Sequence, residues 1–485
     1  MVVQPVIFDI FILNRVKNKR TPITLAGLFI SLFALFSFFI GCLVMSILAG
    51  LFFFIPVKIK SKRKTLNFLI SRLARFLLII SFHLKKEQRG FNKLDLSSPS
   101  ILISNHTSFL DIIIALSLSH KITIVAKGWV SKTPVMGFVL RHSGHICIDQ
   151  GIDQMMEAIQ SRVNDGYSIL LFPEGTRSPD GELGRFHKGA FLVSKTFGID
   201  IQPILITGCE FISPKGDFII KKGKITTHIL DRIRADDPIL NERLGVVSKE
   251  IKNQLSLQLD ELRKVDYNLD FMGNRISYNY LYKGPILELY FKIKWRIEKK
   301  NYAYFNETIG DRNRIYDLGG GYGYLSFFLH YSNESRRITS IDYDEEKVNI
   351  AKHSVFKTDN LDFYQKKVED IDLENFDACI LYDVLHYISP EKRVDLFRTM
   401  SEKINPDGII IIRDAISNFK ESHKKTKLTE FFSTKVFNFN KSTNDLSFMS
   451  LEELDELSRT FNLTYELNKD LMTLSNLTIV FKKAS

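Results

Sequence analysis

Residues 21–56 contain no charged side chain, and the run TPITLAGLFISLFALFSFFIGCLVMSILAGLFFFIP is apolar on every face of a helix. A bilayer core takes about 20 apolar residues per spanning helix, whereas the apolar core of a secretory signal has only about 7–15. The run therefore reads as a membrane element, against the alternative of a helix buried in a soluble core. It can form one long tilted span or a helical hairpin that turns near Gly41. Basic residues stand on both sides, with Arg15, Lys17, Lys19 and Arg20 before it and Lys58, Lys60, Lys62, Arg63 and Lys64 after it. Positive flanks mark the cytoplasmic side, so the symmetry favours the hairpin. Residues 66–84 mix apolar positions with Arg72, Arg75 and His83. That is the pattern of an amphipathic helix lying at the interface.

Short apolar runs follow at 99–104, 121–126, 168–172 and 201–206 and predict strands, with a helix at 111–118. Strands alternating with helical patterns predict an α/β domain. Its end falls where residues 244–265 turn helical and charged. Residues 266–308 interleave aromatics such as Tyr278, Tyr290, Phe291 and Trp295 with Lys and Arg. Such a mixture can bind RNA, but it fits a linker with cap helices better. A second α/β pattern starts at 314. The expected plan is a membrane anchor at 1–64, an α/β domain at 65–260, a linker with cap helices at 261–310 and a Rossmann-like α/β domain at 311–485.

Composition narrows the function. A chain of 485 residues holds about three domains. With 45% hydrophobic and 25% charged residues it is not disordered throughout. The net charge of +11 calls for an anionic partner. Much of it flanks the apolar run, which suits membrane lipids, and no motif points to nucleic acid. Cys42, Cys147, Cys209 and Cys379 are scattered without a CxxC, so neither a disulfide framework nor a metal site is expected.

The segment SNHTSFLD places His106 five positions before Asp111 at a strand-to-helix junction. There an Asp can fix the tautomer of a His that deprotonates a hydroxyl. Taken alone, the pair is more often a solvated loop histidine. A second element changes the balance. In Phe172-Pro173-Glu174-Gly175-Thr176-Arg177-Ser178, Gly175 allows close backbone approach and Arg177 offers a forked cation. Together with Gly144–Gln150 (GHICIDQ) and the IQPI run from Ile201, these segments resemble the glycerolipid acyltransferase family, which includes 1-acylglycerol-3-phosphate acyltransferases. The resemblance spans about 60–250. It implies His106 as general base, Asp111 as its orienting partner, and Glu174, Gly175, Thr176 and Arg177 as acceptor-binding residues. The implied donor is acyl-CoA or acyl-carrier protein, the latter then being a partner. One position departs. The family's middle block often ends in an Arg that contacts the acceptor phosphate, and here Gln150 stands there. A neutral amide does not replace a guanidinium, so a lysophosphatidate acceptor stays open, with Lys127 or Arg141 as possible substitutes.

In the last domain, Ile315-Tyr316-Asp317-Leu318-Gly319-Gly320-Gly321-Tyr322-Gly323 is a strand followed by a glycine turn. Such a turn serves dinucleotide sites too, and Asp342 at the end of the next strand suits the ribose of either cofactor. The leading acid, the KVED run from Lys367, the FDACILYDVLHY run from Phe376 and Pro406-Asp407-Gly408 resemble class I S-adenosylmethionine-dependent methyltransferases over about 310–420. The resemblance implies S-adenosylmethionine as cofactor. Asp317, Gly319, Gly321, Gly323, Asp342, Glu369 and Asp370 would bind it. His386 is the candidate base, with Asp414 second. The structural alternative is a His386 that only packs against the ligands.

An anchored acyltransferase fused to a methyltransferase implies a bifunctional enzyme of lipid or lipid-pigment biosynthesis. Both sites would face the cytoplasm at the inner membrane. A similar pairing of domains accompanies aryl polyene-type pigment lipids in bacteria. The alternatives are phosphatidate synthesis beside an unrelated methyltransferase, and a membrane scaffold with one inactive site.

Overall fold

A computed structural model describes residues 24–148, 152–417, 447–468 and 476–484. The chain forms two compact units that divide between Phe271 and Met272.

The first unit opens with the apolar helix Leu25–Phe54, capped by Thr24, whose side chain accepts from the Gly27 amide. The helix runs without a break through Gly41, so the expected hairpin turn does not occur there. Gly41 instead makes room for a neighbouring helix, because a Cβ on it would lie 2.6 Å from Leu73 Cδ1. The chain bends at Ile55–Lys58, beside Pro56, and the amphipathic helix Ile59–Ile80 follows. It starts seven residues before the expected 66, over the basic run.

One stripe of the apolar helix faces the unit, with Ser31, Met45 and Ala49 buried and Phe29, Phe36 and Phe54 exposed. The Ser31 hydroxyl accepts from the Ile220 amide at 2.9 Å, and Ser46 donates to the Val135 carbonyl at 3.0 Å. Phe38 meets Phe109 edge to face at 5.1 Å. Among the described residues this is the one helix long and apolar enough to cross a membrane.

Seven strands build the first sheet: β1 (Leu84–Arg89), β2 (Ile101–Ser104), β3 (Ile122–Lys127), β4 (Ile146–Ile148), β5 (Ser168–Leu171), β6 (Ile201–Thr207) and β7 (Gly223–Ile229), in the order β1-β7-β6-β2-β5-β3-β4. All neighbouring pairs are parallel except β6 with β7. The central strands ILIS, SILL and IQPILIT are buried on both faces, which explains their unbroken apolar sequences. The sequence reading missed β1, β4 and β7. LKKEQR is an edge strand with one buried residue, and its charges carry no apolar alternation. The helix Leu244–Asp266 closes the unit and runs past the boundary expected at 260.

The second unit holds β8 (Arg314–Leu318), β9 (Arg337–Asp342), β10 (Leu361–Gln365), β11 (Phe376–Tyr382), β12 (Ile404–Ala415), β13 (Leu463–Asn468) and β14 (Asn476–Lys483), in the order β10-β9-β8-β11-β12-β14-β13. Only β14 runs against its neighbours. Strand order reverses between β8 and β11, and such a switch point opens a crevice at the strands' carboxyl ends. The helix Pro285–Ile309 buries Phe291, Trp295 and Phe305.

Arg393 lies wholly inside this unit. It donates to the Leu385 carbonyl at 3.1 Å, to Glu453 at 2.9 Å and to the Ser447 carbonyl. Removing one partner of a buried pair leaves the other uncompensated. Arg393→Ala should therefore destabilise the second unit by about 3 kcal/mol. Hydrogen exchange in β11 and β12 reads this locally, and unchanged protection would refute it.

Candidate active sites

In the first unit β2 and β5 pair in parallel, with Ile101 opposite Ile169 and Ile103 opposite Leu171. The chain leaves both strands at the same edge. The loops carrying His106 and Glu174, 68 positions apart, therefore meet. Asn105 pins the first loop to β6: its side chain donates to the Ile206 carbonyl and accepts from the Ile206 amide, both at 2.8 Å.

Asp111 sits in the first turn of the helix Leu110–Leu118 and is completely buried. Its Oδ2 lies 3.2 Å from His106 Nδ1 and accepts from the Thr107 and Ser108 amides at 2.7 and 2.8 Å. With Nδ1 donating to Asp111, Nε2 holds the lone pair. The His106 ring stacks on Phe172 at 4.1 Å.

Glu174, expected to bind an acceptor, has internal partners for both carboxylate oxygens. Its side chain is buried, Oε1 accepts from the His106 amide at 2.9 Å and Oε2 from the Gly184 amide at 3.0 Å. Burial pushes its carboxyl up, and these two amides oppose the shift. Glu174 thus fastens the two loops together. Ser178 adds a second tie, its amide donating to the His106 carbonyl at 2.7 Å. Gly175 has φ +67°, and a Cβ there would lie 3.1 Å from the His187 ring. Thr176 is exposed, and the half-buried Arg177 guanidinium has no hydrogen-bond or ion-pair partner among the described residues. Burial lowers the pKa of Arg177, and the charge of Asp111 counters this. Lys215 reaches the same turn, donating to the Arg177 carbonyl at 3.2 Å. The sequence reading missed Asn105, Phe172 and Lys215 as site residues. Asn105 alone carried a signal, as a polar residue directly after a buried strand.

The middle block is partly structural. His145 Nδ1 accepts from the Ile124 amide at 3.2 Å, and burial beside Arg162 lowers its pKa to about 3. Asp149 and Gln150 lie outside the described residues. Lys127 is exposed, and Arg141 donates to the Ser131 carbonyl.

In the second unit the loop after β8 turns on Gly319, Gly321 and Gly323, with φ of +80°, +54° and +78°. The Gly321 amide donates to Asp342 Oδ2, and the Asp344 amide to Oδ1, both at 2.8 Å. Burial raises the Asp342 pKa, opposed chiefly by Lys347. Asp317 lies buried below the loop and accepts from Ser326 Oγ at 2.5 Å. Burial pushes its carboxyl up to about 6. Gly320, not among the expected residues, has the tightest fit of the run: a Cβ there would lie 2.1 Å from Ser340 Oγ and 2.8 Å from Asp317 Oδ2. A cavity of about 580 Å³ after β9 is lined by Tyr343, Asp344, Glu346, Asn349 and Gln365, and not by Asp342 or the glycine turn.

The two expected acids of the next loop are placed differently. Glu369 pairs with Lys392 at 3.2 Å and Asp370 is exposed. Neither bonds to the Asp342 loop.

His386 is buried, with Nδ1 2.6 Å from Asp414 Oδ1, so the second candidate base is the partner of the first. Next to it Asp383 has φ +56°, a strained backbone for a non-glycine residue. It pairs with the buried Arg413 at 3.2 Å, and Arg413 lies 3.8 Å from Glu298.

These features define two transferase domains on one chain. Residues 84–207 match the acyltransferase family, and residues 315–408 match the methyltransferase domain family. The chain is similar to chloroplastic 1-acyl-sn-glycerol-3-phosphate acyltransferase BAT2 of Brassica napus, 30% identical over 201 residues, 40% of this chain and 56% of that protein. It is 35% identical over 144 residues to the 1-acyl-sn-glycerol-3-phosphate acyltransferase of Limnanthes alba, covering 28% of this chain and 51% of that protein. The chain thus spans about half the length of these curated relatives. Among solved structures, the 1-acyl-sn-glycerophosphate acyltransferase PlsC of Thermotoga maritima is similar at 20% identity and TM-score 0.43, covering 49% of this chain and 96% of that one. Human N-acetylserotonin methyltransferase, solved with S-adenosylmethionine, is similar at 19% identity and TM-score 0.31, covering 44% and 57%.

The Asp317 pKa gives a signed prediction. A raised carboxylate pKa means the folded state holds the proton more tightly than the unfolded state. The second unit should therefore lose stability as pH rises from 3.8 to about 6, and level off above. Asn cannot ionise, so Asp317→Asn should remove that slope. Hydrogen exchange in β8 across this pH range measures it, and a slope retained in the variant would assign the titration elsewhere.

Proposed function

We propose that the chain is a bifunctional enzyme of membrane-lipid biosynthesis, anchored in the inner membrane by its apolar helix, with both transferase units on the cytoplasmic side. The observation that carries this reading is the His106–Asp111 pair fastened to the Glu174–Arg177 turn. His106 Nε2 takes the proton of an acceptor hydroxyl, and the oxygen attacks the thioester carbonyl of an acyl-CoA or acyl-carrier protein. The thiolate leaves and takes up a proton, and an ester remains. Arg177, with no hydrogen-bond or ion-pair partner among the described residues, suits an anionic group on the acceptor. That favours a lysophosphatidate-like lipid, and the relatives' names agree. Gln150, in place of the family's Arg, and the fused methyltransferase favour a second acceptor class, a lipid pigment of the aryl polyene type.

The second unit fits S-adenosylmethionine. The glycine turn leaves no space for side chains at Gly319 and Gly320. Asp342 ties the turn through the Gly321 amide at the carboxyl end of β9. Bound there, the cofactor supplies an electrophilic methyl group. Asp342 would hold the ribose hydroxyls. His386, oriented by Asp414, would take the proton from the acceptor hydroxyl.

Two experiments test this reading. Asp342→Ala should weaken S-adenosylhomocysteine binding about tenfold, the loss of one or two hydrogen bonds; unchanged calorimetric affinity would remove Asp342 from the site. In cells, His106→Ala and Asp342→Ala should each shift lipid masses. A single product that loses an acyl chain in one strain and one methylene mass in the other would identify a shared pathway. A fall in phosphatidate alone, with no lipid changed by Asp342→Ala, would separate the two activities and exclude the pigment class.

A further inference from the structure

A second cavity of the first unit has a charge pattern that neither transferase site uses. It measures about 590 Å³, and Arg185, Lys188, Lys249 and Lys252 line it, together with Phe186 and His187. Among the described residues no Asp or Glu contributes to the lining. Here none of the four basic side chains has a hydrogen bond or ion pair among the described residues. Two segments supply the walls, residues 185–188 and the first turns of the helix Leu244–Asp266. Lys188 lies over Gly245 of that helix, its Nζ 3.8 Å from where a Cβ would stand, an ordinary contact distance. Phe186 is buried beneath and stacks on Phe191. The cavity also touches the catalytic turn. The His187 amide donates to the Pro173 carbonyl at 2.8 Å, and the His187 ring covers Gly175.

Gathering four uncompensated positive charges around one concavity costs free energy unless an anion offsets it. The volume lies in the range of small-ligand sites, about 300–1,000 Å³. An acidic protein partner would instead need a face of about 800 Å². We propose that this cavity binds the phosphate-bearing nucleotide end of coenzyme A and so selects acyl-CoA as the thioester donor. The inference rests on the acyl-transfer reading of His106. It adds the donor class and the residues that recognise it. The nucleotide is held at the basic walls while the pantetheine arm carries the thioester past the His187–Gly175 contact toward His106.

The test uses the full chain in detergent and the double variant Lys249→Glu/Lys252→Glu, the first position exposed and the second half-buried. With palmitoyl-CoA as donor the variant's KM should rise about tenfold or more, the loss of charge-assisted contacts. With palmitoyl N-acetylcysteamine thioester, which has the reacting bond but no nucleotide, its kcat/KM should match the wild type. Adenosine 3′,5′-bisphosphate should bind the wild type in calorimetry and lose that binding in the variant. Equal KM values for palmitoyl-CoA would overturn the proposal. So would a defect confined to acyl-carrier protein as donor, or one confined to binding of phosphatidylglycerol vesicles. If the bisphosphate binds and is lost in the variant, yet no donor gives product with the wild type, the nucleotide cavity stands and the acyl-transfer reading falls.

Discussion

A carboxylate removed from water must be given donors, and in the first unit one such group organises everything around it. Asp111 is completely buried, and a single oxygen receives His106 and two consecutive amides. Those amides turn toward it only because the helix starts where it does, so the carboxylate, the loop and the imidazole are set by one arrangement. Glu174 repeats the device from the other loop. It gives its two oxygens to the His106 and Gly184 amides. The central parallel sheet supplies what both require, two strand ends side by side at one edge.

The second unit reaches a similar end differently. Asp414 holds His386 as Asp111 holds His106, but the partner comes from the adjacent strand, 28 positions away. Asp317 stays beneath the glycine turn and holds it from below through Ser326, while Asp342 holds it from the side through the Gly321 amide. The four glycines are not equivalent. Gly321 supplies a backbone angle, Gly320 supplies absence of volume, and Gly319 and Gly323 supply both.

How much could be read from the sequence follows from how local each interaction is. His106, Asp111 and the glycine turn lie within single short segments, so their chemistry shows in residue order. The strands β2, β5 and β6 are buried on both faces and announce themselves as apolar runs. What escaped depends on remote neighbours. The inward turn of Glu174 needs the Gly184 amide, and the pairing of Glu369 needs Lys392. Gly41 invites a turn by its composition, yet its place is fixed by Leu73 on the next helix. β1 is an edge strand whose charged residues give no periodic signal.

The apolar helix carries a consequence of a different kind. Its outer face is a band of phenylalanines, and its inner stripe reaches Phe109, three residues from His106. On the proposed reading, with that band in hydrocarbon, Phe109 and the neighbouring His106 loop are held close to the leaflet. The proposed lipid acceptor would then arrive by lateral diffusion rather than from solution. The concentration that governs its encounter with His106 is a mole fraction in the membrane, so inert lipid added at constant bulk concentration slows the enzyme by dilution in two dimensions.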